Sequence, residues 1–130
     1  MRFHDCLNFD DFRNLAKKKL PSPIFQYIDG GADDETTLKR NTESFENCDL
    51  IPNVLANVGK PDLSTTILGR KISMPIFLSP AAMQRLYHPD GDRASARAAE
   101  KFNTFYSMSS MGNNTIEEVS NISCLLYTSP

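Results

Sequence analysis

Three short stretches carry side chains from which a small-molecule site could be built. In residues 21–38, Tyr27 stands just before Gly30 and Gly31, and Asp33, Asp34 and Glu35 follow. A phenol there can donate its hydroxyl to a ligand carboxylate. On composition alone, a half-buried core tyrosine with a wet hydroxyl is the simpler account. In residues 75–84, an apolar run leads into Pro80, Ala81 and Ala82, whose small side chains let the backbone approach a flat ligand. The plain alternative is an ordinary β–α turn with small packing residues. In residues 105–111, Ser109 and Ser110 end a second apolar run and Met111 follows, a residue type that more often fills gaps than binds.

Other chemistry is weaker. His88 has the pKa class of a proton-transfer group, yet its setting between Tyr87 and Pro89 reads as a loop-capping histidine. Consecutive acids at 33–35 suit the positive end of a helix dipole better than a metal. Gly30, Gly31 and Gly69 lack dinucleotide or Walker spacing. The three cysteines, Cys6, Cys48 and Cys124, share no metal-like spacing and read as free thiols.

The elements that must position these residues follow from periodicity. Phe9, Phe12, Leu15, Ala16 and Leu20 recur at helical spacing, with Asn8 or Asp10 to cap and Lys17, Lys18 and Lys19 near the negative end of the dipole. Pro21 ends that helix, and Ser22 followed by Pro23 predicts an N-cap and first residue for a second helix through Ile28. Gly30 and Gly31 permit positive φ and close backbone approach, and Asp33 or Asp34 should cap a third helix. Residues 45–58 are irregular. Residues 62–68 alternate like a strand, with Gly69 and Arg70 as the turn of a hairpin into residues 71–74. Residues 75–79 read as a strand buried on both faces, residues 92–102 as an alanine-rich helix and 104–109 as a second strand, a β–α–β unit. Thr115 and Glu118 have capping-box spacing and should open another helix.

With 130 residues, 40% hydrophobic content and a net charge of -2, the chain offers one modest core and no electrostatic case for nucleic acid or an anionic membrane. The polar N-terminal residues predict a cytoplasmic location. By pattern, the element order fits the opening of a (β/α)8 barrel or of a doubly wound sheet. A barrel needs about 250 residues, so the chain could supply only the first two strands of one and their helices, and the pattern alone leaves both α/β folds open. Residues 124–130 lack turn or cap logic and read as a non-native tail similar to translated sequencing-adapter readthrough.

Taken together, the three stretches resemble the FMN-dependent 2-hydroxy-acid dehydrogenase and oxidase family. Lys19 to Pro21, Phe25 with Tyr27, and the run from Gly31 to Leu38 fall in family order and spacing, and the resemblance spans residues 5–122. It implies the N-terminal part of a (β/α)8 TIM barrel preceded by helices and a short β-hairpin, with residues 1–123 an incomplete barrel domain, and FMN as cofactor, with Pro80, Ala81, Ala82 and Ser109 lining or hydrogen-bonding the flavin. Main-chain donors of the 80–82 loop would lie near the reactive nitrogen. It implies that Tyr27 binds the carboxylate of a small 2-hydroxy acid and that Met111, where glycolate oxidases carry tryptophan, shapes the substrate pocket. The run around Tyr27 looks closer to bacterial L-lactate dehydrogenases than to plant-type glycolate oxidases, so (S)-lactate is the expected substrate. The electron acceptor would be a quinone, a cytochrome or oxygen, and the full-length protein a homo-oligomer. Peripheral attachment at the inner membrane is an open alternative to a freely cytoplasmic protein.

In that family the base is a late barrel histidine paired with an arginine, so no catalytic residue is assigned here and the fragment is expected to be inactive alone. Two other readings stay open: a stand-alone binding or interaction protein without catalysis, and another FMN-binding barrel of different chemistry.

Overall fold

The computed structural model describes residues 2–55, 59–123 and 126–128. The chain divides into two compact units, Met1–Asn57 and Val58–Pro130.

The first unit is helical. After a 3₁₀ turn at Phe3–Asp5, α1 runs over Phe9–Lys19, α2 over Ser22–Asp29 and α3 over Thr36–Glu46. Asn8 caps α1, its side chain accepting from the Asp11 N–H at 2.9 Å, and the three lysines occupy the last turn as dipole compensation requires. Leu15 and Phe25 are the buried apolar side chains of α1 and α2. The Arg13 guanidinium ties the two helices through a two-point grip on Asp29, at 2.5 and 3.0 Å.

Helix starts here differ from expectation in two places. Pro21, not Ser22, is the N-cap of α2; proline's fixed φ suits a helix entry and its missing N–H costs nothing there. Glu35, not Asp33 or Asp34, occupies the N-cap of α3, in the left-handed region at φ 59°. Its carboxylate turns back to accept from the Gly31 N–H at 3.1 Å. Gly30 and Gly31 are also not in the positive-φ region. Glycine is needed at 31 for space, since a Cβ would sit 3.0 Å from the Leu38 Cβ.

The second unit begins with a hairpin, β1 (Thr65–Ile67) and β2 (Arg70–Ile72), paired antiparallel with Ile67 opposite Arg70. The connecting pair is therefore Leu68 and Gly69, one residue earlier than expected. Both have positive φ, at 50° and 73°, the requirement of a two-residue turn that matches strand twist. Helix α4 (Asp92–Lys101), strand β3 (Tyr106–Met108), helix α5 (Ile116–Ser120) and strand β4 (Leu126–Thr128) follow. β3 pairs parallel with β4 on one side and with Leu78 through a parallel bridge on the other. The Leu78 N–H donates to Phe105 O at 3.0 Å and the Ser107 N–H to Leu78 O at 2.9 Å.

Alternation along β3 divides the packing. Tyr106 and Met108 face Ala96, Ala99 and Val119 from α4 and α5, whereas Phe105 packs with Ile72 of the hairpin. Burying such side chains stabilises by about 25 cal/mol per Å² of apolar surface; the alanines on α4 let the helix lie close against the strand. The segment at 75–79 departs from the expectation of burial on both faces: Ile76 and Phe77 are 66% and 49% exposed. It forms no strand and meets β3 only through the Leu78 bridge, so its apolar side chains lack the covering layers that both faces of a sheet interior would give them.

Candidate functional site

The segment carrying Leu78 and strand β3 are parallel neighbours, so the loops that follow them emerge at the same end. These loops hold Pro80, Ala81 and Ala82 in one case and Ser109 and Met111 in the other. The Met83 N–H donates to Met111 O at 3.1 Å and joins the two. Pro80 and Ala81 are exposed and Ala82 is half-buried, leaving a low rim of small side chains. Ser109 is half-buried and its Oγ accepts from the Met111 N–H at 3.1 Å. Met111 is 57% exposed, free to shape whatever lies against the rim.

Beside this rim lies a cleft of about 350 Å³ bounded by Ser109, Ser110, Gly112, Asn114 and Thr115. Gly112 is close-packed, since a Cβ there would come 2.8 Å from the Met108 Cε. Thr115 opens α5 with the expected capping box: its hydroxyl accepts from the Glu118 N–H and the Glu118 carboxylate accepts from the Thr115 N–H, both at 3.2 Å. Glu118 also accepts from Asn114 Nδ2 at 2.9 Å. The Asn114 amide hydrogen bond, followed by that of the Thr115 backbone, holds the Glu118 carboxyl below the usual carboxylate range. With its amide nitrogen so engaged, Asn114 leaves a buried Oδ1 with no partner among the described residues.

Beneath the two loops is a polar network that motif reading did not find. Asp92, fully buried in the first turn of α4, accepts from the Tyr106 hydroxyl at 2.6 Å and the Gln84 amide at 3.4 Å through Oδ1. Its Oδ2 accepts from the Asn113 N–H at 2.9 Å. Gln84 Nε2 also donates to the Tyr106 oxygen at 2.9 Å and to Ala81 O at 3.3 Å, and Gln84 Oε1 accepts from the Ser95 hydroxyl at 2.7 Å. Burial first, and then the bond to Asp92, push the Tyr106 phenol well above its ordinary range, so it remains a donor.

Tyr27 lies on α2 in the first unit and is 53% exposed, with no hydrogen bond to its hydroxyl among the described residues. Its neighbourhood is thus that of an outward phenol rather than a core tyrosine. His88 is committed to its own loop, where Nδ1 accepts from the Asp90 N–H at 3.2 Å.

The rim fits a flat, hydrogen-bonding cofactor such as a flavin. It offers small side chains, the half-buried Ser109 hydroxyl and a backbone N–H at Ala82 that meets no acceptor among the described residues.

The model of the FMN-dependent dehydrogenase family matches residues 16–127, and the chain belongs to that family. Among similar proteins, glycolate oxidase 1 of Oryza sativa subsp. indica is 46% identical over 115 residues, covering 88% of this chain and 31% of the relative. The glycolate oxidase of Spinacia oleracea is 41% identical over 115 residues, with the same 88% and 31% coverage. Among solved structures, a soluble mutant of the membrane-associated (S)-mandelate dehydrogenase from Pseudomonas putida superposes with a TM-score of 0.86. It is 34% identical and the match covers 93% of this chain and 35% of that one. A mandelate oxidase with (S)-mandelic acid gives a TM-score of 0.86 at 29% identity, covering 92% and 36%. The chain thus spans about a third of the length of the curated relatives it matches.

Proposed function

We propose that this chain is the part of a flavoenzyme that presents one face to FMN, within a longer protein that oxidises an (S)-2-hydroxy acid to the 2-oxo acid. The observation that carries this reading is the rim: two loops at the same end of adjacent parallel segments, joined by the Met83–Met111 hydrogen bond. Ligand sites in parallel α/β architectures form at that end. The exposed Ile76 and Phe77 edge suits a longer protein in which a (β/α)8 barrel continues past this segment.

Pro80, Ala81, Ala82 and Ser109 would hold the flavin ring, with the Ala82 N–H and the Ser109 hydroxyl as donors. FMN, when bound, supplies the two-electron acceptor for the substrate α-carbon. Tyr27 would donate its hydroxyl to the substrate carboxylate, a charge-assisted bond that orients the acid. Met111 would set the space for the substrate side chain. His88 is engaged in its loop, so proton transfer would fall to a residue of the longer protein outside this stretch.

L-lactate is the proposed substrate, with glycolate and (S)-mandelate as the competitors that the similar proteins' names suggest. A quinone, a cytochrome or oxygen would take the electrons. We extend the proposal to a homo-oligomeric protein located in the cytoplasm or attached at the membrane periphery.

The test is to recover the coding sequence flanking this stretch, express the product and measure bound flavin and its bleaching by L-lactate, glycolate and (S)-mandelate. Bleaching by at least one acid is expected, with Tyr27→Phe raising KM for it. A product that binds no FMN, or whose FMN none of the three acids reduces, would overturn the proposal.

A further inference from the structure

We infer that Gln84, held by Asp92, Tyr106 and Ser95, is a positioning residue that sets the direction of the Ala81–Ala82 peptide. Its buried network aims the Ala82 N–H out of the protein toward the rim.

In a planar trans peptide, the C=O of one residue and the N–H of the next point in opposite directions. Gln84 Nε2 draws Ala81 O inward at 3.3 Å, which turns the Ala82 N–H outward. One residue on, the Tyr87 hydroxyl donates to Ala82 O at 2.8 Å, and the partner N–H of that peptide, on Met83, donates to Met111 O. Two consecutive peptides are therefore fixed through their carbonyls by side chains from the turn that follows them.

Gln84 could not do this as a freely rotating amide. Its oxygen is occupied by the Ser95 hydroxyl at 2.7 Å, which determines which end of the amide carries the donors. Its NH₂ is drawn toward the Tyr106 oxygen at 2.9 Å as well as Ala81 O. Tyr106 is 1% exposed and its own proton goes to Asp92 at 2.6 Å, leaving its oxygen lone pairs to accept from Gln84. Asp92 completes the device, because its second oxygen holds the Asn113 N–H of the other loop. One buried carboxylate thereby references both loops to the start of α4. Left unpaired, each of these buried groups would keep its desolvation penalty with nothing to offset it, so the network has one strongly preferred arrangement.

The inference rests on the reading of the 80–82 loop as a cofactor face, and the test separates the two. Gln84→Met keeps length and bulk but removes the donors. Amide hydrogen exchange of the 130-residue chain, followed by NMR, would compare Met83, whose N–H bridges the loops, with Val119, whose N–H donates to Thr115 O within the α5 cap. The expected result is exchange at Met83 faster by about tenfold, the scale of one lost hydrogen bond, with a displaced Ala82 amide resonance and Val119 unchanged. Equal acceleration at both sites would reveal a general packing role and overturn the inference. No change at Met83 would also overturn it. Tyr106→Phe, which removes one oxygen and keeps the ring, decides the matter if the Gln84 variant does not fold; it should move the same amides by a smaller factor.

FMN titration of the full-length product recovered as above, in wild-type and Gln84→Met forms and followed by flavin fluorescence, addresses the other reading. Wild-type binding weakened about tenfold in Gln84→Met supports both. Absence of binding in the wild type counts against the cofactor face and leaves the exchange result to judge the positioning role.

Discussion

Replacing Gly91 by alanine tests whether the backbone entry to α4 controls the loops above it. Gly91 is the N-cap of α4, with φ 50° and ψ -131°, a combination that L-residues with a Cβ rarely adopt. Holding alanine in such a region costs about 1–3 kcal/mol. The added Cβ would also lie 2.9 Å from the Arg85 Cγ and 3.4 Å from the Arg85 backbone nitrogen. The Cγ lies near the root of the Arg85 side chain, so relieving this contact needs a χ1 change or a small backbone shift and adds to that cost. The methyl would further sit 3.6 Å from the Asn114 Oδ1, placing apolar surface beside an oxygen that lacks a hydrogen bond.

A total of about 2–3 kcal/mol follows, or roughly 10 °C in midpoint at about 4 °C per kcal/mol. Thermal and urea unfolding of the chain would measure it, with Gly59→Ala as control. At Gly59 a Cβ meets nothing within 4 Å, and the expected change is within about 0.5 kcal/mol. A Gly91→Ala variant within about 0.5 kcal/mol of wild type would refute the reasoning, as would equal losses from both variants.

Two further outcomes are expected. Thr115→Ala should cost about 1 kcal/mol in urea unfolding by removing one half of the α5 capping box, and Thr115→Ser should recover most of it; equal stability of the alanine variant would remove the cap from the account. In the first unit, Arg13 holds the Asp29 carboxyl below its ordinary range, first through the hydrogen bond. A carboxyl lowered in the folded state contributes stability above its unfolded value and loses it as pH falls through the folded value. Acid titration of helical circular dichroism should therefore show a loss below the usual carboxylate range that is reduced in Asp29→Asn. An identical acid limb in that variant would contradict the assignment.

Local signals in the chain were sufficient for much of the architecture. Asn8 and Thr115 cap the helices they were expected to cap, because a capping side chain reaches only two or three residues ahead. The alanine-rich helix and the strand after it were readable from their patterns, whereas the strand expected at 75–79 is reduced to the Leu78 bridge; the family was readable too, since its motifs are contiguous in the chain. Sequence also brought Pro80, Ala81, Ala82 and Ser109 forward as candidate site residues, through their resemblance to the family pattern, a role that belongs to the proposal above.

Other features depended on contacts that the motifs did not reveal, some local and some between distant residues. Glu35 displaces the nearer acids as N-cap because its carboxylate finds the Gly31 N–H, and Pro21 precedes the expected cap at Ser22. Exposure at Ile76 and Phe77 reflects which edges find neighbours, a property of the sheet and not of the apolar run. Asp92 looks like an ordinary first-turn acid, Gln84 like a polar turn residue and Tyr106 like a strand aromatic. Separated by 8 and 14 residues, they become one network only when β3 buries the phenol against the start of α4. Sequence alone determined most of the helices, the hairpin and the membership of the family, because those are written in short-range pattern, whereas β4, within a stretch that reads as a foreign tail, exists only through its pairing with β3. Which backbone groups are turned toward the rim was decided by tertiary structure, where burial obliges each polar group to find a partner.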